Sequence, residues 1–365
     1  MSKAKRPWCS EPFHTFSHSS GGFYKPCCEG ESMGVTTYDM LPSEFLKSDV
    51  MKNFRQKMWD HNIDDEVKKV CTRCIKREEN GLESRRIFRN GMVGRLPMPP
   101  SPTYLRFKML GNLCNFRCVM CYPGSSSKIA AEEKVSPAIL NPYGEGDREA
   151  YFEDIIKLCD NVQEVQMLGG EPFIHPDIEY CIESLARTKN AKKMTLTLTT
   201  NASTFPEWLP KAMKHFGNHR IHVSMDGIGG YGEYIRDGCN WEEFDANVKK
   251  FREHFRTLMQ PTIQLLNMNH LKELGEYCVE NSEITWTWPH MYLIEPRFLR
   301  PINLADKVRA IYRAPHFHEP LRRAMFSEKR NHDHFLEGIA YLKQKDKLRN
   351  KCLLDLWPEF EEWYA

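Results

Sequence analysis

Three cysteines, Cys114, Cys118 and Cys121, stand in a CX3CX2C array within residues 109–124. Thiolates crowded onto one short loop can each take one iron of a 4Fe–4S cube, because soft sulfur ligands suit iron–sulfur clusters. A cube has four irons, so three protein ligands leave one open, and an open coordination position marks a catalytic metal site. A closed zinc site needs a fourth ligand nearby, for which Asn112, Asn115 and Tyr122 are poor substitutes. The surroundings of the array constrain the fold as strongly. Residues 103–110 alternate with β-branched or aromatic side chains and predict a strand running straight into the loop. Ser125, Ser126 and Ser127 then offer caps for a helix over 128–134.

Downstream, strand and helix patterns alternate. Strands are predicted over 164–168, 193–199, 220–225, 262–267 and 284–288. Helices are predicted between them over 148–159, 177–188, 205–216, 241–258 and 271–280. This order implies an α/β fold with a parallel sheet and right-handed crossovers. Functional residues then belong at the C-terminal strand ends. Those ends carry Gly169-Gly170-Glu171, Thr199-Thr200-Asn201 and Ser224-Met225-Asp226.

The array in this setting resembles the cluster loop of the radical S-adenosylmethionine (radical SAM) enzymes, with Met120 where that family usually has an aromatic residue. The resemblance implies a partial (β/α)6 barrel over 103–290. It also implies a 4Fe–4S cluster whose open iron is chelated by the amino and carboxylate groups of S-adenosylmethionine (SAM). One electron then cleaves SAM to methionine and a 5′-deoxyadenosyl radical, which abstracts hydrogen from substrate. A reduced flavodoxin or ferredoxin-type protein is the implied electron donor. Gly169, Gly170 and Glu171 look like the family's SAM-ammonium motif: glycines let backbone carbonyls approach, and Glu171 adds charge. By itself Gly-Gly-Glu is also an ordinary turn. Asn201, Ser224 and Asp226 match positions that contact the ribose and carboxylate of SAM, although Asn and Asp also serve as caps. Arg236 would pair with the SAM carboxylate or the substrate, or form a surface salt bridge. Cys239 precedes a helix N-terminus, where a thiol can be activated, and is a candidate hydrogen-atom donor to a substrate radical, or a filler.

The N-terminal third carries a second cysteine set. Cys9, Gly22 and Cys27 give CX12GX4C, and Cys71 and Cys74 give CX2C. Two distant pairs suit a closed tetrathiolate site. The CX12GX4C half resembles the opening of SPASM and Twitch auxiliary-cluster domains, here placed before the barrel and with Asn80 where a further cysteine would be expected. Residues 1–95 are therefore read as an auxiliary domain holding a second 4Fe–4S cluster on Cys9, Cys27, Cys71 and Cys74. Zinc is the alternative occupant, and Cys28 is an alternative to Cys27, although the spacing from Gly22 favours Cys27. Between the pairs, 41–59 reads as one helix; the mixed charges of 78–86 read as a solvated face.

Net charge bounds the partners: +2 gives no pull toward nucleic acid or membrane. No apolar run reaches the length of a membrane span, and the N-terminus lacks a signal-peptide core. Thirteen cysteines in that context argue for metal chemistry in a reducing, cytoplasmic compartment. Residues 291–365 read as a helical extension, with helices over 304–312, 320–326 and 334–348 and an aromatic ending that would cover the barrel or line its mouth. Analogy with SPASM and Twitch relatives points to a peptide or protein substrate. RNA, a sugar or another small metabolite is the alternative, and a non-catalytic metal-stabilised scaffold is a third reading.

Overall fold

The computed structural model describes residues 7–79, 81, 83–93, 101–108, 111–135, 143, 148–281, 299 and 332–364. The predicted strand over 284–288 and the helices over 304–312 and 320–326 lie outside them. The chain divides into two compact units: 1–114, 123–199 and 206–220 form one; 115–122, 200–205 and 221–365 form the other.

Seven strands form one sheet: β1 (Thr15–His18), β2 (Tyr24–Lys25), β3 (Tyr104–Phe107), β4 (Glu164–Met167), β5 (Thr195–Thr200), β6 (Asn218–Ser224) and β7 (Arg256–Gln260). Their order is β2-β1-β3-β4-β5-β6-β7. β1, β3, β4 and β5 pair in parallel, with Ser17, Arg106, Gln166 and Thr197 side by side, and β2 closes one edge antiparallel. The α/β expectation holds.

In the first unit the two-residue strand period separates two faces. Leu105, Val165, Met167, Leu196 and Leu198 are buried on one. Tyr104, Glu164, Gln166 and Thr197 share the other, where the Tyr104 hydroxyl donates to Gln166 Oε1 at 2.7 Å and the Thr197 hydroxyl to Glu164 Oε1 at 3.0 Å. The helices of this unit are α1 (Glu11–His14), α2 (Pro42–Lys47), α3 (Asp49–Asp60), α4 (Asp65–Val70), α5 (Thr72–Glu79), α6 (Arg85–Val93), α7 (Ser127–Glu133), α8 (Arg148–Leu158), α9 (Ile178–Ala186) and α10 (Leu209–Met213). The second unit carries α11 (Gly230–Ile235), α12 (Trp241–His254), α13 (Leu271–Asn281), α14 (His332–Arg349) and α15 (Glu361–Tyr364).

Several local predictions need correction. The helix expected over 41–59 is two helices, because Ser48 is extended (φ −64°, ψ 158°) and its hydroxyl accepts the Met51 N–H to start α3. The helix expected over 241–258 ends at His254; Phe255 is extended, and 256–260 is β7, whose buried Thr257, Leu258 and Met259 had mimicked a helical face. No strand covers 262–267. Pro261 has no N–H to give a ladder, and Gln264 N–H donates to Asn267 Oδ1 at 2.9 Å to open a 3-10 segment, Leu265–His270. β1 was not anticipated: all four of its residues are buried, so it shows no alternation. The aromatic ending is core: Trp357 and Phe360 are fully buried, and the Trp357 indole donates to Leu266 O at 2.9 Å. Among the described residues no helix is long and apolar enough to cross a membrane.

Candidate active site

The division between the two units passes through the cysteine array, with Cys114 closing a segment of the first and Cys118 and Cys121 on the 115–122 segment of the second. In the first unit, Ser126 caps α7 by accepting the Ile129 N–H, as its sequence predicts. That places Ser127 to accept the Cys114 N–H at 3.1 Å, while the Ser127 N–H donates to Asn112 O at 2.8 Å. The glycine motif lies against the same turn. Glu171 N–H donates to Leu113 O at 2.7 Å, and a Cβ on Gly170 would meet that oxygen at 2.1 Å, so only glycine lets the strands' ends approach this closely. The Glu171 side chain is 1% exposed and accepts the Phe173 N–H at 3.1 Å, so it caps its own turn.

In the second unit, the segment after α11 braces the array. Arg117 N–H donates to Asp237 O at 2.7 Å, Arg117 Nε to Asp237 Oδ2 at 2.7 Å, and Val119 N–H to Ile235 O at 2.9 Å. Gly238, at φ +103°, leaves room that a Cβ would take up 3.0 Å from Asn115 O. Arg236 connects two predicted site residues. Its Nη1 lies 3.8 Å from Cys118 Sγ, and its Nη2 pairs with Asp226 Oδ2 at 2.7 Å. Asp226 is fully buried and also accepts the Thr262 N–H at 2.6 Å. Burial pushes its carboxyl above the usual range, with Arg236 and the Thr262 amide pulling against it. Burial opposes the charge on Arg236, and Asp226, then Cys118, more than restore it. Asn201 donates from Nδ2 to Asn115 Oδ1 at 2.9 Å, and Ser224 is half-buried at the end of β6.

Cys239 stands just before the residue that caps α12. Asn240, one residue nearer α12, caps the helix by accepting the Glu243 N–H at 3.0 Å, and burial pushes the Cys239 thiol up to about 11. A neutral S–H is nonetheless the form that gives a hydrogen atom.

The second cysteine set converges. Cys9, Cys27, Cys71 and Cys74 line one cavity in the first unit, with Trp8, Glu11, Glu29, Arg85 and Arg86 around them; Cys28 does not line it. The cavity holds about 20 Å3 as placed. Burial raises all four thiols, Cys71 to about 12, so they remain protonated until a metal displaces the protons. Backbone N–H groups of Glu11 and Arg86 hydrogen-bond to Cys9 and Cys74, as donors to cluster sulfurs do. Among the described residues no three His, Cys, Asp or Glu side chains are already at metal-sharing distances. A soft four-sulfur donor set around one cavity fits a tetrathiolate group. The sequence reading passed over Arg85 and Arg86, treating their polar stretch as solvated. Their place just after a CX2C pair was the available signal.

The family model of the Radical SAM superfamily matches residues 109–278. Among curated proteins, the chain is 29% identical over 128 residues to GTP 3',8-cyclase of Campylobacter lari (34% of each chain) and 32% identical over 120 residues to that of Aquifex aeolicus (33% of this chain, 34% of the other). It is 28% identical over 130 residues to molybdenum cofactor biosynthesis protein moc-5 of Caenorhabditis elegans, covering 34% of this chain and 19% of that one. These matches span about a third or less of the relatives' length. Solved structures similar to it include anSMEcpe with bound AdoMet (TM-score 0.41, 18% identity, 49% of each chain) and SuiB of Streptococcus suis (TM-score 0.39, 16% identity, 74% of this chain and 57% of that one). Residues 109–278, which take in the cysteine array and the glycine motif, therefore form a Radical SAM superfamily domain.

Proposed function

We propose that Cys114, Cys118 and Cys121 hold a SAM-binding 4Fe–4S cluster, that Cys9, Cys27, Cys71 and Cys74 hold a second, closed one, and that the substrate is a small metabolite. The observation that carries the two-site reading is the single cavity lined by all four N-terminal cysteines. When bound, the open-iron cluster supplies the electron for reductive cleavage of SAM. The chain's own residues bind and orient. Gly169, Gly170 and Glu171 present acceptors to the SAM ammonium. Asn201 and Ser224 offer polar contacts to its ribose and carboxylate. Arg236, anchored by the buried Asp226, keeps a positive charge beside the Cys118 sulfur. Cys239 offers a neutral S–H. Residues 1–95 serve as the auxiliary domain, 103–290 as the barrel and 291–365 as an extension. A reduced flavodoxin or ferredoxin-type protein is the donor, and thirteen cysteines, none in a disulfide, suit the cytoplasm.

The substrate reading departs from the peptide analogy. The curated relatives bear the names GTP 3',8-cyclase and molybdenum cofactor biosynthesis protein, and a cyclase of GTP acts on a small molecule. That supports the metabolite alternative over peptide modification.

Anaerobic reduction with SAM is expected to yield 5′-deoxyadenosine, and Cys118→Ala to abolish it; undiminished cleavage by the variant overturns the assignment. The reconstituted protein is expected to carry about eight irons, falling to about four in Cys71→Ala/Cys74→Ala while SAM is still cleaved. Zinc in place of the second iron set, found by elemental analysis, would leave a structural zinc site instead.

A further inference from the structure

We propose that Arg236 is a positioning residue that sets the reduction potential of the SAM-binding cluster, by holding a fixed positive charge against the Cys118 sulfur; this rests on the cluster reading above. The contact is built by the backbone. Within the second unit, Arg117 N–H donates to Asp237 O at 2.7 Å and Val119 N–H to Ile235 O at 2.9 Å, so bonds on both sides place Cys118 opposite Arg236. The Arg236 N–H donates to Gly232 O at 2.8 Å and ties the residue to the last turn of α11. Its Nη1 then points at Cys118 Sγ, 3.8 Å away.

The guanidinium is held from its other side. Nη2 pairs with Asp226 Oδ2 at 2.7 Å, and the second oxygen of that carboxylate takes the Thr262 N–H at 2.6 Å. Asp226 is 0% exposed, the Arg236 side chain 12% and Cys118 8%, so little water screens the contact. Charges interact more strongly as the local dielectric falls. The sequence offered Arg236 two other tasks. Its burial is at odds with a surface salt bridge. Binding the SAM carboxylate would use two guanidinium nitrogens side by side. Nη2 is already committed to Asp226, Nη1 faces the sulfur, and Nε is buried with no acceptor among the described residues.

Reduction adds one negative charge beside Cys118. Hydrogen bonds to the sulfurs and nearby charge set iron–sulfur potentials, and a cation here favours the reduced form. Asp226 acts in the opposite sense, because it offsets part of that cation. The pair therefore makes a prediction of sign. Removing the cation lowers the potential and removing the anion raises it, whereas a merely structural role gives both changes the same direction or none.

The test is a redox titration of the full-length, anaerobically reconstituted protein, read by electron paramagnetic resonance on the signal that Cys118→Ala lacks. Arg236→Gln is expected to disfavour reduction about ten- to a hundredfold. That is a fall of about 60 to 120 mV, at about 59 mV per decade for one electron. Arg236→Lys, which keeps the charge, should restore most of it, and Asp226→Asn should shift the potential upward. Should Arg236→Gln fail to fold with its carboxylate unpaired, Arg236→Gln/Asp226→Asn compared with Asp226→Asn reads the same fall. A potential indifferent to Arg236, or one that moves the same way in Arg236→Gln and Asp226→Asn, overturns the proposal alone. A parent with no signal that depends on Cys118 overturns the cluster reading, and this proposal with it.

Discussion

Gly170→Ala is the sharpest steric test of the glycine turn. A Cβ there would stand 2.1 Å from Leu113 O, 2.5 Å from Leu113 C and 2.6 Å from Asn112 O, all backbone atoms. Ordinary contact begins near 3.4 Å, so the two backbones must part by roughly 1 Å in a close-packed interior with little slack. The 2.7 Å bond from Glu171 N–H to Leu113 O would break with that movement, and Leu113 is covalently joined to Cys114, the proposed ligand. Overpacking of this kind costs about 1–3 kcal/mol of stability. A displacement of about 1 Å at a reacting centre costs about a hundredfold in rate. Denaturant midpoints and 5′-deoxyadenosine formation, read on protein of matched iron content, measure the two effects. Gly91→Ala is the control: its Cβ would meet nothing within 4 Å, and in α6 it is expected to be neutral or to stabilise by about 0.5–1 kcal/mol. Parental stability and cleavage rate in Gly170→Ala would refute the close-approach argument.

Other substitutions probe single contacts. Arg236→Gln leaves a buried Asp226 carboxylate unpaired, an expected loss of about 3–5 kcal/mol at neutral pH. Because the folded Asp226 carboxyl titrates above its ordinary range, the loss should be small in acid and grow as pH rises through that range; a pH-independent loss counts against it. Asp245 runs the other way. Burial pushes its carboxyl up, but hydrogen bonds from Lys249 and Tyr277 hold it below the usual value, so the stabilisation is present above the carboxylate range and vanishes as pH falls through it. Asp245→Asn should therefore cost about 1 kcal/mol at pH 7 and nothing in strong acid, by urea titration. Glu171→Ala should weaken SAM binding by about one to two decades. Equal affinities by titration would make Glu171 a turn cap only, the role its bond from Phe173 already shows.

The signals from which the candidate site was read are local. Three cysteines at fixed spacing, a glycine pair at a strand end and serines at a helix start each express their chemistry within one turn of chain. Errors clustered where a local pattern was ambiguous: Leu258 and Met259 fit a helical face as well as the buried strand they form, and Ser48, capping α3, splits what the apolar spacing read as one helix. At the start of α12 the cap is Asn240, the neighbour of Cys239.

The sequence by itself determined the α/β alternation, the spacing of the cysteine array and the two spaced pairs of N-terminal cysteines. Only the tertiary structure decided that those four line one cavity, that β1 joins the sheet beside β3, and that Asp226 pairs with Arg236. The physical reason is range. Spacing encodes what a residue can do with its neighbours along the chain, whereas burial and charge balance depend on which distant segments fold against it.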